Sequence, residues 1–287
     1  FMPYFNDDWK ISPKLTINLG LRYDFDTNPK DVMGNTLNIV CPPRSCAGTI
    51  STGFTYTEHV FAQNPSTHNW QPRFGFAYDP FKDHKTSIRG GFGLFSNVIQ
   101  PRAWSSGFVT GPPFITILAF NTAATPVSFP NPFASASFAA PKITQGQSMD
   151  YLTKNTPYLM EWNLNLQREL MGGAILTVGY VGSRGVHLLS FKDFNPPQAT
   201  VGTDGKLHFG NAAGVSNPRL NPNFGSMNLS HPSSTSRYNG LQSSLNSRLS
   251  KNIQSYLSYT WSHCTDYAYT YGGLGGNNGT STWFNPY

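Results

Sequence analysis

A run of strict two-residue alternation between Lys14 and Asp26 constrains this chain more than any other feature. Every second residue is apolar and the residues between are polar or glycine; the apolar set is Leu15, Ile17, Leu19, Leu21, Tyr23 and Phe25. Because successive side chains of a β-strand point to opposite faces, the run predicts a strand with one apolar and one polar face. It spans about a dozen residues, whereas an ordinary strand has about 5 or 6 and a tilted membrane-crossing strand needs about 9 to 11. The length therefore favours a strand that crosses a membrane.

The same alternation returns in pairs of segments that are joined by short turns. The pattern predicts four hairpins, at residues 4–26, 70–97, 157–190 and 238–263. Segments without a sustained period follow them and are expected to be long loops, at 27–69, 98–156, 191–237 and 264–287. This alternation of short and long connections is typical of outer-membrane barrels, which have short periplasmic turns and longer extracellular loops. The predicted fold is therefore all-β, an antiparallel meander of about eight long transmembrane strands in one domain over residues 1–287.

The composition agrees with a wall of strands. Only 12% of the residues are charged, while 14% are aromatic and 38% are hydrophobic. No stretch approaches the roughly 18 consecutive apolar residues of a membrane-spanning helix. The net charge of +6 could attract nucleic acid, but the 20 basic residues are dispersed along the chain, so no nucleic-acid partner is expected. The start resembles no signal peptide, so we expect an internal section of a longer chain. The predicted loops are far longer than a small barrel needs, so we expect a segment of a large barrel rather than a small closed one.

The parity of the strands sorts side chains into three predicted sets. The first set should face lipid: Leu15, Ile17, Leu19, Leu21, Phe74, Phe76, Trp162, Leu164, Leu166 and Leu257. The second should form aromatic girdles at the two membrane interfaces: Trp9, Tyr23, Tyr180, Tyr259 and Trp261. The third should face the lumen, where charge is solvated or paired: Arg22, Asp24, Asp26, Arg73, Asp79, Arg89, Glu161, Glu169 and Arg248. The lumen set could be plain wall residues or contacts for a plug or a solute.

Two of the three cysteines, Cys41 and Cys46, lie close together in a predicted loop. Their spacing is not a zinc pattern, because no second Cys or His pair accompanies it. They form either a small disulfide in an oxidising compartment or two free thiols.

Motifs for catalysis and cofactor binding are missing from the pattern. Gly182-Ser183-Arg184-Gly185 lacks the spacing and the strand-turn-helix context of a nucleophile elbow. The seven histidines are scattered, and the glycines near Gly91 lie inside a strand rather than before a helix. We therefore expect neither an enzyme nor a cofactor.

Several blocks of the predicted strands resemble the barrel of TonB-dependent receptors, specifically the Oar-like subgroup. The blocks occur in the family's order: YFNDDWK at 4–10, LTINLGLRY at 15–23, PRFGFAYDP at 72–80, IRGGFG at 88–93, EWNLNLQRE at 161–169, GYVGSRG at 179–185, YNGLQ at 238–242 and SYTWS at 258–262. They cover nearly all the predicted strands, whereas the long loops match no known pattern.

The resemblance implies a section of an outer-membrane transporter of a Gram-negative-type bacterium. Such receptors usually combine a regulatory-like β-domain, a plug and about 22 strands in one barrel, and they use energy from a TonB-type protein to take up a solute. Implied partners are outer-membrane lipid, the plug and remaining strands of the same receptor, and the TonB-type protein, with the solute unidentified. The alternative is a secreted or cell-surface β-sandwich, an adhesin or carbohydrate-binding module, which would bury its apolar face between two sheets.

Overall fold

The computed structural model describes residues 1–39, 54–101, 103–105, 143–193, 200–208, 224–250 and 253–267. Strands dominate these residues: β1 (Tyr4–Ser12), β2 (Leu15–Tyr23), β3 (Thr36–Ile39), β4 (Phe54–Thr57), β5 (Trp70–Tyr78), β6 (Thr86–Ser96), β7 (Ile143–Met149), β8 (Tyr158–Glu169), β9 (Ile175–Asp193), β10 (Thr200–Val201), β11 (Leu207–His208), β12 (Phe224–Ser250) and β13 (Ile253–Asp266). Short 3-10 helices lie at Pro65–His68 and Met171–Gly173. No helix in the described ranges is long and apolar enough to span a membrane.

Eight strands form an antiparallel meander in the order β1-β2-β5-β6-β8-β9-β12-β13. A ninth strand, β7, pairs in parallel with the start of β12. The turns after β1, β5, β8 and β12 are short and define the short-turn end of the sheet, and the opposite end is the long-connection end. The predicted all-β meander of about eight strands is therefore confirmed.

The strands reach beyond the predicted hairpins at the long-connection end. The segment 191–237 is predicted as a loop, but β9 continues to Asp193 and β12 begins at Phe224. The segment is predicted as a loop because it is rich in Asn-Pro and Gly and has no sustained period, and the prediction is wrong at both of its ends. In the structure the β9–β12 register shifts between Pro232 and Ser234, and proline is tolerated at such irregularities because the ladder is already interrupted.

Smaller differences concern the other predicted loops and one strand end. The predicted loop 27–69 contains β3 and β4, and 98–156 contains β7. Conversely, the strand predicted to reach Asp26 ends at Tyr23.

The register places the predicted apolar residues on one continuous face. One line of paired residues crosses all eight strands and reads Trp9, Ile17, Phe76, Gly90, Leu164, Tyr180, Leu241 and Trp261. A neighbouring line of the opposite parity reads Lys10, Thr16, Ala77, Arg89, Asn165, Gly179, Gln242 and Thr260. We call these two sides the apolar face and the polar face of the sheet.

The pairing also gives the tilt of the strands. A line of partners that starts at Leu15, the first residue of β2, ends six strands further on at Tyr259, the seventh residue of β13. The line therefore climbs by one residue per strand on average. With a rise of about 3.4 Å per residue and about 4.8 Å between strands, this corresponds to a tilt of about 35°. Transmembrane barrels have strands tilted by about 35–45°.

One glycine on the apolar face lies directly beneath an aromatic ring. Gly90 pairs with Phe76, and a Cβ added to Gly90 would lie 2.5 Å from Cε1 of the Phe76 ring. The ring therefore lies over the glycine and covers the backbone that the missing side chain leaves open.

Nothing in the described chain covers the apolar face. Leu19 and Phe74 each remain 44% exposed and Leu164 52% exposed. A β-sandwich would bury these side chains beneath a second sheet, so the sandwich alternative is contradicted.

The hydrophobic core of the described residues lies at the long-connection end instead. Val60, Phe61, Ile99 and Met149 are buried together, with Trp104 and other partly buried side chains packed against them. These residues come from two connections, the one between β2 and β5 and the one between β6 and β8, so these two connections pack on one another.

A histidine and a carboxylate hold β7 at this end. Asp150 follows β7, and its backbone N–H donates to the Ser230 carbonyl at 2.9 Å. The buried Asp150 carboxylate accepts the Leu152 N–H at 3.0 Å and lies 2.6 Å from Nδ1 of His231.

His187 lies beside this pair. It directly follows Val186, the last residue of β9 that pairs with β8. Its ring contacts Tyr158 edge-on at 5.5 Å between centroids, and its Nδ1 is buried without a hydrogen-bond partner. Burial, followed by repulsion from His231, lowers the pKa of His187.

The lowered pKa predicts acid sensitivity of the long-connection end. Below the ordinary histidine pKa of about 6.5 the unfolded segment binds a proton that the folded segment resists, so stability falls as the pH falls, by at most about tenfold in the opening constant per pH unit. Hydrogen exchange of residues 149–153 and 229–234, corrected for the intrinsic rate, should accelerate between pH 7.5 and 5.5.

His187→Asn should remove that acceleration. Asparagine tolerates the positive φ of 55° at this position. The exposed His68 gives a matched control, and His68→Asn should behave as wild type. An unchanged pH dependence in His187→Asn would contradict the assignment.

Candidate functional site

The predicted lumen residues fall into two groups. Six share the polar face of the sheet: Arg22, Arg73, Arg89, Glu161, Glu169 and Arg248. They are distributed over five strands and do not converge on a single point. The other three, Asp24, Asp26 and Asp79, lie just past the ends of β2 and β5. The polar face is therefore a wall with dispersed charges rather than a compact active site.

Arg22 and Asp24 begin a buried polar network at the long-connection end. The Arg22 Nε donates to Asp24 Oδ1 at 2.6 Å, and Gln71 Nε2 donates to the other carboxylate oxygen at 2.6 Å. Gln71 also donates to Ser96 Oγ at 2.7 Å. Asp24 and Gln71 are only 4% and 2% exposed. A buried carboxylate is costly unless it is paired, and here an arginine and an amide satisfy it.

Arg22 and Asp24 are among the residues predicted to face the lumen, whereas Gln71 and Ser96 are not. Gln71 has the parity of Arg73 and faces Arg22 directly in the β2–β5 register. Strand parity alone could have identified Gln71 as a polar-face residue. The contact with Ser96 depends on the pairing of three strands and has no local signal.

Asp26 ties a connection to the end of β2. Its carbonyl accepts hydrogen bonds from Asn64 Nδ2 and Ser66 Oγ, both at 2.7 Å. Asn64 also caps the short helix Pro65–His68 by accepting from the Ser66 N–H. Asp26 Oδ2 is buried without a hydrogen-bond partner. The backbone contacts make Asp26 a structural anchor of this connection.

In the same connection, between β2 and β5, Lys30 and Glu58 form an exposed pair. Lys30 Nζ donates to Glu58 Oε1 at 3.1 Å, and this hydrogen bond lowers the pKa of the Glu58 carboxyl.

Arg73 presents its guanidinium on the polar face. The group lies over the Phe95 ring at 4.7 Å from the ring centroid, the geometry of a cation–π contact. Beside it, an open groove of about 440 Å³ is lined by Tyr4, Asn6, Gly20, Arg22 and Arg73, together with Phe5 and Leu21. Two arginines and a tyrosine in one groove could hold an anionic or polar group.

Charged side chains at the short-turn end pair with one another. Lys85 Nζ lies 3.4 Å from Glu169 Oε1, and Asp79 contacts His84. Arg89, further along the polar face, donates to Ser87 Oγ at 3.1 Å. Glu161 and Arg248 are exposed on the polar face.

All ten residues predicted to face lipid lie on the apolar face of the described sheet. The predicted girdle residues share that face. Tyr180 and Trp261 lie on one line of partners, and Tyr259 is two residues nearer the short-turn end. Tyr23 packs against Trp70 with the ring centroids 4.5 Å apart and the ring planes tilted by 38°, and Trp9 lies in β1.

The cysteine prediction for Cys41 and Cys46 lies outside the described residues. Cys264 is exposed and free. Among the described residues, no group of three or more His, Cys, Asp or Glu side chains could hold a metal ion.

A family model described as an outer membrane beta barrel domain matches residues 1–287. Comparison with curated protein sequences gives no match.

Three solved structures are distantly similar in fold. The siderophore receptor PirA from Pseudomonas aeruginosa is 10% identical, with a TM-score of 0.42 over 92% of this chain and 34% of that one. The outer membrane transporter YddB from Escherichia coli is 12% identical, with a TM-score of 0.44 over 92% of this chain and 24% of that one. The copper transporter OprC is 10% identical, with a TM-score of 0.40 over 91% of this chain and 29% of that one.

The chain spans between 24% and 34% of the length of these three proteins. Their likeness is too distant to carry a functional argument by itself. The family match, in contrast, covers the whole sequence and agrees with the large tilted sheet and its uncovered apolar face. The chain therefore belongs to the outer membrane beta barrel domain family and is a protein of the outer membrane of a Gram-negative-type bacterium.

Proposed function

We propose that this chain is part of the barrel of a TonB-dependent transporter of the Oar-like subgroup. In its intact form the transporter would move a bulky solute across the outer membrane with energy from the inner membrane. One observation carries the proposal: the outer edges of β1 and β13 pair with no other strand among the described residues. An unpaired backbone edge costs several kcal/mol per polar group in hydrocarbon. Further strands are therefore needed to close the wall, and a larger barrel supplies them.

The two faces then have different solvents. The apolar face, with Leu19, Phe74 and Leu164, contacts membrane lipid, and Trp9, Tyr180 and Trp261 are interface aromatics. The polar face, with Arg22, Arg73, Arg89, Glu161 and Arg248, faces the lumen. Support comes from the register, which keeps the two sets apart over all eight strands.

The roles follow from the geometry of such barrels. Longer connections lie outside the cell and short turns in the periplasm, so the packed long-connection end would meet the solute first. The Arg22–Asp24–Gln71 network stiffens the wall beneath it, and the Arg73 groove offers donors to a plug or to a solute. The proposed partners are lipid, a plug, the remaining barrel strands and a TonB-type protein. Catalysis is not part of the proposal.

The similar solved structures are a siderophore receptor and two transporters, which is compatible with this reading. They give no solute for this chain.

Electrical conductance tests the function without knowledge of the solute. The full-length protein that contains this chain should conduct little in a planar lipid bilayer, because a plug closes the lumen. Deletion of the plug segment should open a large pore. A permanently open full-length protein would contradict gated transport, as would a full-length protein whose sequence has no plug segment.

Substitutions on adjacent residues of β2 test the assignment of the faces. Leu19→Arg should cost about 2–4 kcal/mol of folding free energy if Leu19 faces mid-bilayer lipid. Asn18→Arg places the same charge on the polar face, beside Asp8 in the register, and should be nearly neutral. Denaturant unfolding of the full-length protein in lipid vesicles measures both. Equal tolerance of arginine at the two positions would refute the assignment.

A further inference from the structure

Two arginines face each other on the apolar side of the sheet. Arg184 of β9 and Arg237 of β12 are direct partners in the register, and their parity is that of Tyr180 and Leu241. Directly paired residues on antiparallel strands have Cα atoms about 4.5–5.5 Å apart. Both arginines are exposed. Their next partners along the line are Met160 and Thr265, and neither of these is acidic.

The pair lies at the level where a membrane changes from hydrocarbon to headgroups. Arg184 is the tenth residue of β9 counted from the short turn, and about 9–11 residues of a tilted strand cross the hydrocarbon layer. The line that contains Tyr180 and Trp261 lies four residues nearer the short-turn end. Aromatic side chains of this kind concentrate at the membrane interface. The arginines therefore lie just outside the aromatic residues, on the side of the long connections.

Like charges in this position need a counter-charge. Two charges of the same sign directly opposite on neighbouring strands are destabilising. Among the described residues, neither guanidinium has an ion pair or hydrogen bond with a protein group. An anion that bridges the two would relieve the repulsion, and arginine binds phosphate oxygens through two parallel hydrogen bonds.

The residues between the arginines and the aromatic line are also suited to a polar headgroup. Asn239 and His263 are partners on the apolar face, two residues nearer the short-turn end than Arg237 and Thr265. The Tyr180 hydroxyl donates to Asn239 Oδ1 at 2.7 Å. This contact leaves the Asn239 Nδ2 as a donor next to the arginines.

A third arginine on the same face shows the contrast. Arg168 lies at the short-turn end, where its guanidinium donates to Thr86 Oγ1 at 2.5 Å and lies 5.5 Å from the centroid of the Phe81 ring. Asp83 is 3.9 Å away. Protein groups therefore surround Arg168, whereas the Arg184–Arg237 pair is left open to a ligand.

We propose that Arg184 and Arg237 bind the phosphate of a lipid headgroup in the outer leaflet of the membrane, with Asn239 as an additional donor. The inference rests on the proposed contact of the apolar face with lipid. It does not depend on a plug or on energy coupling. A phosphorylated glycolipid fits best, because its acyl chains would lie along the apolar face below its phosphate. Basic residues at a membrane surface bind anionic headgroups in the same way.

Binding of lipid A to the full-length protein tests the site. The protein is purified in a neutral detergent, stripped of lipid and titrated with bisphosphorylated lipid A, and binding is measured by native mass spectrometry. Arg184→Gln and Arg237→Gln should each weaken binding about tenfold, the effect of losing one charge-assisted hydrogen bond. Arg89→Gln removes an arginine from the polar face and is the matched control, with unchanged affinity expected. Lipid A without phosphate should bind the wild type as weakly as it binds the variants.

Thermal stability gives a second measurement, in which the effect of the substitution should change sign between lipid-free detergent and lipid A. In lipid-free detergent, Arg237→Gln should be at least as stable as the wild type, because the repulsion is gone. In lipid A the order should reverse, because only the intact pair gains from the ligand. Should a glutamine variant fail to fold, Arg184→Lys and Arg237→Lys keep the charge and lose the paired hydrogen bonds, so weaker binding is again expected.

Several results would overturn the proposal. Equal affinity of the wild type and both arginine variants would do so, and so would an equal loss in Arg89→Gln. Stabilisation by inorganic phosphate as large as that by lipid A would assign the pair to a free anion instead of a lipid. None of these results would change the expected conductance of the full-length protein, so this proposal and the transport proposal fail separately.

Discussion

Backbone hydrogen bonding in the absence of water is the constraint on which this structure depends. Inside hydrocarbon every N–H and C=O must find a partner within the protein, and a sheet can provide these partners only between neighbouring strands. The eight-stranded meander satisfies the requirement across each of its internal edges. Among the described strands of the meander, the outer edges of β1 and β13 remain unpaired, and the proposed larger barrel would supply strands to pair them.

The two-residue period converts that backbone into a boundary between two solvents. Because the register is kept from β1 to β13, side chains as far apart in sequence as Trp9 and Trp261 share a face. The climb of one residue per strand gives the tilt that a barrel needs for closure. The hydrophobic core is accordingly displaced to the long-connection end, around Val60 and Phe61, where the described connections pack together outside the membrane-crossing strands.

The local sequence predicts the strands and their two faces, but it does not predict the contacts that depend on which strands pair and in which register. The alternation around Leu19 predicts β2 and which of its side chains share a face, because the two-residue period is visible within the sequence of one strand. It fails for the first half of β12, which lacks a sustained period and contains Pro232 beside a shift in the β9–β12 register. The hydrogen bond from Gln71 to Ser96 and the pairing of Arg184 with Arg237 join residues 25 and 53 positions apart. No local pattern can specify such contacts, because they follow from the register between strands.

Site-directed spin labelling along β8 tests the central claim most directly, namely that the apolar face has lipid as its solvent. Nitroxides are attached one at a time at residues 160–166 of the full-length protein in lipid vesicles, with the native cysteines replaced. The account predicts a two-residue period: collisions with lipid-soluble oxygen are highest at 160, 162, 164 and 166, and collisions with a water-soluble nickel complex are highest at 161, 163 and 165. A scan without this period, or one with the two reagents exchanged, would contradict the account.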